Sequence, residues 1–95
     1  MISIVIPAKN EAAALESLLP RLRAVQPNAE ILVVDDGSAD ATAQVCASHA
    51  VRVLRQPYSM GNGAAIKRGA RAATGAVLVF MDGDGQHDPD RKSVV

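Results

Sequence analysis

The sequence predicts an α/β domain in which a parallel β-sheet is flanked by helices. Two observations carry this prediction. Short apolar segments at residues 2–6, 31–34, 51–54 and 77–80 alternate with three longer segments that have helical periodicity. The connections between these segments are short, which favours parallel strands joined by right-handed crossovers. A chain of 95 residues provides for one small domain of this kind.

The order of the strands decides where a ligand would bind. If strands two and three lie on one side of strand one and strand four lies on the other, the sheet has the Rossmann-like order 3-2-1-4. Its switch point then falls between strands one and four. The loops at residues 7–11, 35–38 and 82–86 would converge on one crevice there. Each of these loops is acidic, and two contain glycine, so we expect a binding site.

The first helix carries both a start signal and an interruption. The first strand is expected to stop at Pro7, and Asn10 is expected to cap a helix that runs to about Val25. Glu11 in its first turn suits the helix dipole. Pro20 lies inside the helix and should kink it or end it early.

The remaining helices are shorter. Asp40 is a candidate cap for a second helix at about residues 41–49, which contains Cys46. This lone cysteine excludes an internal disulfide, indicates a reducing compartment such as the cytoplasm, and is interpreted as a packed residue. A third helix, from about residue 63 to Ala73, is expected to have Gly75 as its C-terminal cap.

The fourth strand leads into a pair of carboxylates. Residues 77–80 are all apolar, which predicts a strand buried on both faces. Asp82 and Asp84 follow closely and stay ionised together most readily with a cation between them. Mg²⁺ or Mn²⁺ suits oxygen ligands, and Gln86 can add a carbonyl oxygen. The alternative is a polar turn after a strand.

A second pair of carboxylates, Asp35 and Asp36, follows the second strand and has no basic neighbour in the sequence. Such groups can accept hydrogen bonds from a nucleobase N–H or from ribose hydroxyls. Together with a cation held by Asp82 and Asp84, they describe a nucleoside diphosphate laid across the sheet edge. The alternative is a turn that caps the second helix. Ten acidic and ten basic residues balance, so no bulk attraction to nucleic acid is expected.

Four blocks of the chain, SIVIPAKNE at residues 3–11, VVDDGS at 33–38, GNGAA at 61–65 and MDGDGQH at 81–87, resemble glycosyltransferase family 2. They are most similar to the polyprenyl-phosphate sugar synthases of that family, which include dolichol-phosphate mannose synthases. The resemblance implies a GT-A fold and a metal-dependent, inverting sugar transfer from a UDP- or GDP-type nucleotide sugar. A polyprenyl phosphate at a membrane surface is the acceptor it suggests, and such an anion needs no general base.

The resemblance also implies roles for individual residues. Those implied to bind the nucleotide are Pro7, Ala8, Glu11, Asp35, Asp36, Gly63 and Asp82. Asp82 and Asp84 would handle the metal and the diphosphate, and Gln86 would also reach the metal. Lys67 and Arg68 on the third helix are interpreted as a solvated face, with contact to a phosphate as the alternative.

Domains of this family continue well beyond the Asp-x-Asp loop. We therefore expect residues 1–95 to be the nucleotide-sugar-binding part of a longer domain, cut short at its C-terminus. Residues 77–80 would then form an exposed sheet edge, and the isolated chain would be poorly soluble or dimeric and inactive in sugar transfer.

Other functions remain open at the level of the sequence. One is a non-catalytic nucleotide-binding fragment. Another is a phosphatase of the haloacid dehalogenase type, with Asp82 as nucleophile and Asp84 as acid/base. A dinucleotide-binding module fits less well because the first strand is not followed by its glycine pattern. A calcium loop fits less well because His87 and Ser93 replace its Gly and Glu.

Overall fold

The computed structural model of the protein describes residues 1–39, 41–49, 51–80 and 93–94. Its elements in chain order are β1 (Ile2–Ala8), α1 (Ala12–Val25), β2 (Glu30–Asp35), α2 (Thr42–Ser48), β3 (Arg52–Arg55), α3 (Asn62–Ala72), β4 (Val77–Phe80) and β5 (Ser93–Val94). The sheet order is β3-β2-β1-β4-β5. Strands β1 to β4 pair in parallel and β5 pairs antiparallel to β4. The predicted order 3-2-1-4 is confirmed.

Alternation along the central strands sends side chains to two separate helical layers. On one face, Ile4 and Ile6 of β1 pack with buried leucines of α1 and with Cys46 of α2. On the other face, Val5 of β1 packs with Ala65 of α3. These two cores make β1 and β2 the buried centre of the sheet, which explains their nearly unbroken apolar sequences.

The prediction that β1 stops at Pro7 is wrong. The strand continues to Ala8, and Pro7 and Ala8 pair with Val34 and Asp35 of β2. The reason is that the missing N–H of a proline removes at most one ladder hydrogen bond, whereas the pairing of β1 with β2 continues to Ala8 and both Pro7 and Ala8 are buried.

The expectation that Pro20 ends α1 early and the predicted cap of α1 are also wrong. The helix continues through Pro20 to Val25, and its N-cap is Glu11, with no side-chain capping bond. Pro20 is exposed, whereas Leu18 and Leu19 before it and Leu22 after it are buried and hold the helix to the core. Packing of the buried face therefore outweighs the backbone hydrogen bond that the proline cannot make.

The ends of the shorter helices differ from the predictions. Helix α2 has Ala41 as its N-cap without a side-chain bond, and Asp40 lies outside the described residues. Helix α3 ends at Ala72, with Ala73 extended, so Gly75 is not its cap. A Cβ on Gly75 would lie 2.6 Å from the Met1 carbonyl oxygen. This glycine is required for close approach to β1 and not for a left-handed turn.

Strand β4 is less buried than its sequence suggests. Val79 is buried, but Val77 is 41% exposed. The expectation of burial on both faces is therefore wrong: Val77 lies on the same face as Val79, the side of α1 and α2, and is not covered there, while Leu78 and Phe80 on the side of α3 are only half-buried. Strand β4 is also not an edge in this structure, since it pairs with β5 through Val79 and Phe80. Among the described residues no helix combines the length and apolarity needed to cross a bilayer.

A polar network joins elements that are distant in sequence. It lies at the edge of the sheet where the strands have their N-terminal ends. Oε1 of Glu30 accepts hydrogen bonds from the Ser3 hydroxyl at 2.8 Å and the Thr74 amide at 2.9 Å. Nη1 of Arg52 lies 3.6 Å from Oε2 of Glu30 and donates to the Ala72 carbonyl at 3.1 Å. The start of β2 is thereby tied to β1, to β3 and to the turn before β4.

Acid is expected to weaken this network. The Thr74 amide and the hydroxyls around Glu30 hold the pKa of Glu30 below its usual value. The ionised carboxylate therefore favours the folded state above the unfolded pKa of about 4.3, and its contribution is lost as the pH falls through the folded pKa. Urea unfolding of the wild type and Glu30→Gln should differ by about 1–2 kcal/mol near neutral pH, and the difference should shrink as the pH falls below about 4.3. A difference that does not change with pH would contradict this assignment.

Candidate functional site

Two of the three predicted loops meet at the carboxyl ends of β1 and β2. The Asp36 amide donates to the Ala8 carbonyl at 2.8 Å. The Asn10 amide donates to the Ser38 hydroxyl at 2.9 Å, and the Ala39 amide donates to Oδ1 of Asn10 at 2.7 Å. Asn10 has a φ of 54°, a left-handed backbone conformation that asparagine tolerates. Its side chain joins the two loops and does not cap α1. The loop at residues 82–86 lies outside the described residues.

The residues predicted to contact base and ribose occupy different environments. Pro7 and Ala8 lie within β1 and are buried, so the connection to α1 is shorter than expected. Glu11 is half-buried at the start of α1, and its amide donates to the Thr42 hydroxyl at 3.2 Å. Helix α2 is thereby held against the loop after β1.

Asp35 and Asp36 point to opposite faces of the sheet because side chains alternate along β2. Asp35 is fully buried on the side of α1 and α2. Its Oδ1 accepts from the Ser38 amide at 2.9 Å, and its Oδ2 lies 3.7 Å from Nε of Arg55. Asp35 therefore stabilises the turn after β2. Its basic neighbour, Arg55, is distant in sequence and comes close only in the folded chain.

Asp36 faces the side of α3 and holds the loop that precedes that helix. Its Oδ1 accepts from the Met60 amide at 2.8 Å, and its Oδ2 accepts from the Gly61 amide and the Ser59 hydroxyl, each at 3.1 Å. The hydrogen bond from Met60, with those from Gly61 and Ser59, holds the pKa of Asp36 below its usual value despite burial. The group is therefore an ionised carboxylate with three of about four acceptor positions in use.

Two glycines make this arrangement sterically feasible. Gly37 has a φ of 75°, and a Cβ there would lie 2.6 Å from the Ser59 amide nitrogen. Gly61 has a φ of 96° at the start of α3. Both backbone conformations favour glycine. Gly63, predicted to bind nucleotide, lies in the exposed first turn of α3, where a Cβ would have no neighbour within 4 Å.

The prediction from sequence missed the loop that encloses Asp36. Ser59 donates its hydroxyl to Asp36, and Nζ of Lys9 donates to the same Ser59 oxygen at 3.1 Å. The Gly61-x-Gly63 pattern indicated a special backbone there. No signal in the sequence indicated that the amides before it would bind a carboxylate of β2.

Cys46 is buried on the side of Asp35, as expected for a packed residue. Burial and the charge of Asp35 raise the pKa of the Cys46 thiol to about 11. Relative to an ordinary thiol pKa of 9.0, the thiolate fraction at about pH 8 should fall roughly 100-fold on folding. Reaction with a thiol reagent should therefore be slow in buffer and fast in denaturant. Equal rates in the two conditions would show that the thiol is accessible in the folded protein.

The predicted metal ligands Asp82, Asp84 and Gln86 lie outside the described residues. Within the part of the chain that the structure describes, no group of three or more His, Cys, Asp or Glu side chains could hold a metal ion. Asp82 follows the last residue of β4 by two positions, and β4 lies beside β1. The carboxylates of Asp82 and Asp84 and the amide oxygen of Gln86 are the kind of oxygen ligands that fit Mg²⁺ or Mn²⁺.

Comparison with known proteins gives consistent matches. The chain is 40% identical to a dolichol-phosphate mannosyltransferase of Pyrococcus furiosus, over 94% of this chain and 27% of that protein. A mannosyltransferase from Pyrobaculum calidifontis, solved with GDP-Man and Mn²⁺, superposes with a TM-score of 0.80 at 25% identity, over 87% of this chain and 27% of that chain. Glucosyl-3-phosphoglycerate synthase from Mycobacterium tuberculosis, solved with Mn²⁺, UDP and glucosyl-3-phosphoglycerate, has a TM-score of 0.77 at 31% identity, over 87% and 33%.

The chain thus spans roughly a quarter to a third of each of these proteins. The sequence profile of glycosyl transferase family 2 matches residues 3–95. This match covers every strand and helix described above except the first residue of β1, and it sets aside the phosphatase, dinucleotide-binding and calcium-loop alternatives. The fold, with its sheet order and flanking helices, is that of the GT-A glycosyltransferases. On this evidence the chain belongs to glycosyl transferase family 2.

Proposed function

We propose that residues 1–95 form the nucleotide-sugar-binding part of an inverting, metal-dependent glycosyltransferase. The observation that carries this proposal is the meeting of the loops after β1 and β2 at one sheet edge, where Asp36 is held ionised. Ligands of open α/β sheets bind at this edge. The solved relatives with GDP-Man or UDP and Mn²⁺ support the same class of donor.

In this proposal the residues of the chain bind and orient the donor. The remaining acceptor position of Asp36 takes an N–H of the nucleobase, and Glu11 and the backbone of Pro7 and Ala8 contact base and ribose. Gly63 lets α3 begin close to the nucleotide. Asp35 acts through the turn that it stabilises, because its carboxylate faces the opposite side of the sheet.

Asp82, Asp84 and Gln86 would hold a divalent cation beside the diphosphate. Once bound, such a cation supplies positive charge that stabilises the leaving nucleoside diphosphate. The acceptor that we propose is a polyprenyl phosphate at the cytoplasmic surface of a membrane, in line with the dolichol-phosphate relative. An anionic phosphate oxygen attacks without a general base.

Calorimetric titration with GDP, UDP and their mannose and glucose conjugates, with and without Mn²⁺, tests the proposal. At least one nucleotide should bind more tightly with Mn²⁺. Asp82→Asn and Asp84→Asn should each abolish the metal-dependent increase, whereas Glu16→Gln, on the exposed side of α1, should leave it intact. A folded sample that binds none of these nucleotides would overturn the proposal.

A transfer assay on the same samples separates the second candidate, a nucleotide-binding chain without catalysis. This candidate rests on the loops after β1 and β2, which meet at one sheet edge and could bind a nucleotide without catalysing transfer. Nucleotide binding without release of GDP or UDP in the presence of a polyprenyl phosphate acceptor would favour this candidate.

A further inference from the structure

The charge of the chain is balanced overall but is unevenly distributed. Residues 51–80 contain no acidic residue but carry Arg52, Arg55, Lys67, Arg68 and Arg71. Arg55 turns toward Asp35 on the side of α1 and α2. The other cations belong to the side of α3, where Arg52 donates to the Ala72 carbonyl and has its charge partly offset by Glu30 at 3.6 Å, whereas Lys67, Arg68 and Arg71 lie on α3 itself. The surface of α3 and its border with β3 is therefore strongly basic.

A cleft of about 220 Å³ opens on this basic side. We call it the α3 cleft, and its lining residues are Gln56, Met60, Ala64, Lys67, Arg68 and Arg71. Lys67 and Arg71 are exposed and four residues apart, so both project from the same side of α3. None of the residues that line the cleft is acidic, so their charges are not compensated within it.

Arg68 is fixed in position. Its Nη1 donates to the Arg55 carbonyl at 2.7 Å and to Oε1 of Gln56 at 2.7 Å. Gln56 is itself only 5% exposed, so the anchor is part of the folded structure. A guanidinium that is already oriented loses less side-chain entropy when an anion binds.

We propose that the α3 cleft is an anion site that takes a phosphate group. Two guanidinium groups and an ammonium group match phosphate oxygens in charge and in donor geometry. The cleft is smaller than the roughly 300–1,000 Å³ of most small-molecule sites, which suits a phosphate group and not a whole nucleotide sugar. None of the residues that we propose to bind the nucleotide lines it, so it is a second site.

The α3 cleft adjoins the loop that holds Asp36. Met60 lines the cleft and donates its amide to Asp36 at 2.8 Å. An anion held beside Met60 is therefore one residue away from the proposed nucleobase contact. Met60 is 47% exposed and gives this end of the cleft an apolar rim. A phosphate carried by a soluble molecule and one carried by a lipid headgroup would present the same chemistry to the cations.

Two binding experiments on the 95-residue chain distinguish these sources. Both contain a chelator, which removes divalent cations. One uses pyrophosphate in calorimetry. The other uses co-sedimentation with phosphatidylcholine vesicles, with and without phosphatidylglycerol. Lys67→Gln and Arg71→Gln should each weaken binding of the effective probe about fivefold, as expected for loss of one cation near a phosphate. Arg21→Gln removes an exposed cation from α1, on the opposite face of the sheet, and should change affinity less than about twofold.

Each outcome has a definite reading. Pyrophosphate binding that is sensitive to Lys67 and Arg71 supports a soluble ligand. Binding only to vesicles that contain phosphatidylglycerol, with the same sensitivity, supports a lipid headgroup. If neither probe binds, or if Arg21→Gln weakens binding as much as Arg71→Gln, the α3 cleft is not an anion site. Far-ultraviolet circular dichroism of each variant establishes that the compared proteins are folded.

Discussion

Asp36→Ala should lower the free energy of unfolding by about 2–3 kcal/mol, because it removes a buried acceptor of several hydrogen bonds. The substituted chain would leave the Met60 and Gly61 amides and the Ser59 hydroxyl without their carboxylate. The loop before α3 would no longer be held to β2. Urea unfolding at neutral pH measures the loss, and hydrogen exchange of the Met60 and Gly61 amides should show that the loop opens.

Two further variants separate this effect from loss of charge alone. Ser59→Ala removes one hydroxyl donor and leaves both amide bonds to Asp36, so it should cost only about 1 kcal/mol. Glu16→Ala removes an exposed carboxylate that pairs with His49 at 3.2 Å, which should matter by less than about 0.5 kcal/mol. If Asp36→Ala proves as mild as Glu16→Ala, the carboxylate does not hold the loop.

The loss at Asp36 should also depend on pH. The pKa of Asp36 is lowered in the folded protein, so its stabilising contribution is present above the unfolded pKa of about 3.9. That contribution is lost as the pH falls through the folded value. The difference in stability between the wild type and Asp36→Ala should therefore shrink in acid.

Gly69→Ala should destabilise the protein by about 2 kcal/mol, although alanine favours helices. The physical reason is that α3 lies directly on the sheet at this point. A Cβ on Gly69 would overlap Cγ1 of Val5 and would lie 3.2 Å from Cγ2 of both Val5 and Val34. Thermal and urea unfolding measure the loss.

A second substitution tests whether the clash with Val5 is the cause. Val5→Ala makes room for the new methyl group, so the double variant should be more stable than the sum of the single changes predicts. Gly63→Ala is the matched control in the same helix, because a Cβ there would meet nothing within 4 Å. It should leave stability unchanged or raise it slightly. Additive losses in the double variant would show that Val5 is not the constraint.

The sequence by itself determined the architecture. Apolar segments separated by helical segments and joined by short connections indicate parallel strands, and the Rossmann-like order expected for them is the order that the structure shows. The family blocks are also local, since each is a run of five to nine contiguous residues. For this reason the meeting of the loops after β1 and β2 could be predicted before any contact was known.

Only the tertiary structure decided what each carboxylate does. Asp35 and Asp36 are adjacent in sequence, but the alternation of β2 places them on opposite faces. One meets Arg55 of β3, and the other meets backbone amides of the loop before α3. The same limit explains Pro7, Pro20 and Gly75, whose local preferences were outweighed by pairing and packing with distant segments. Backbone propensities act within a few residues, whereas charge partners, burial and close approach depend on segments that the fold brings together from far apart in the chain.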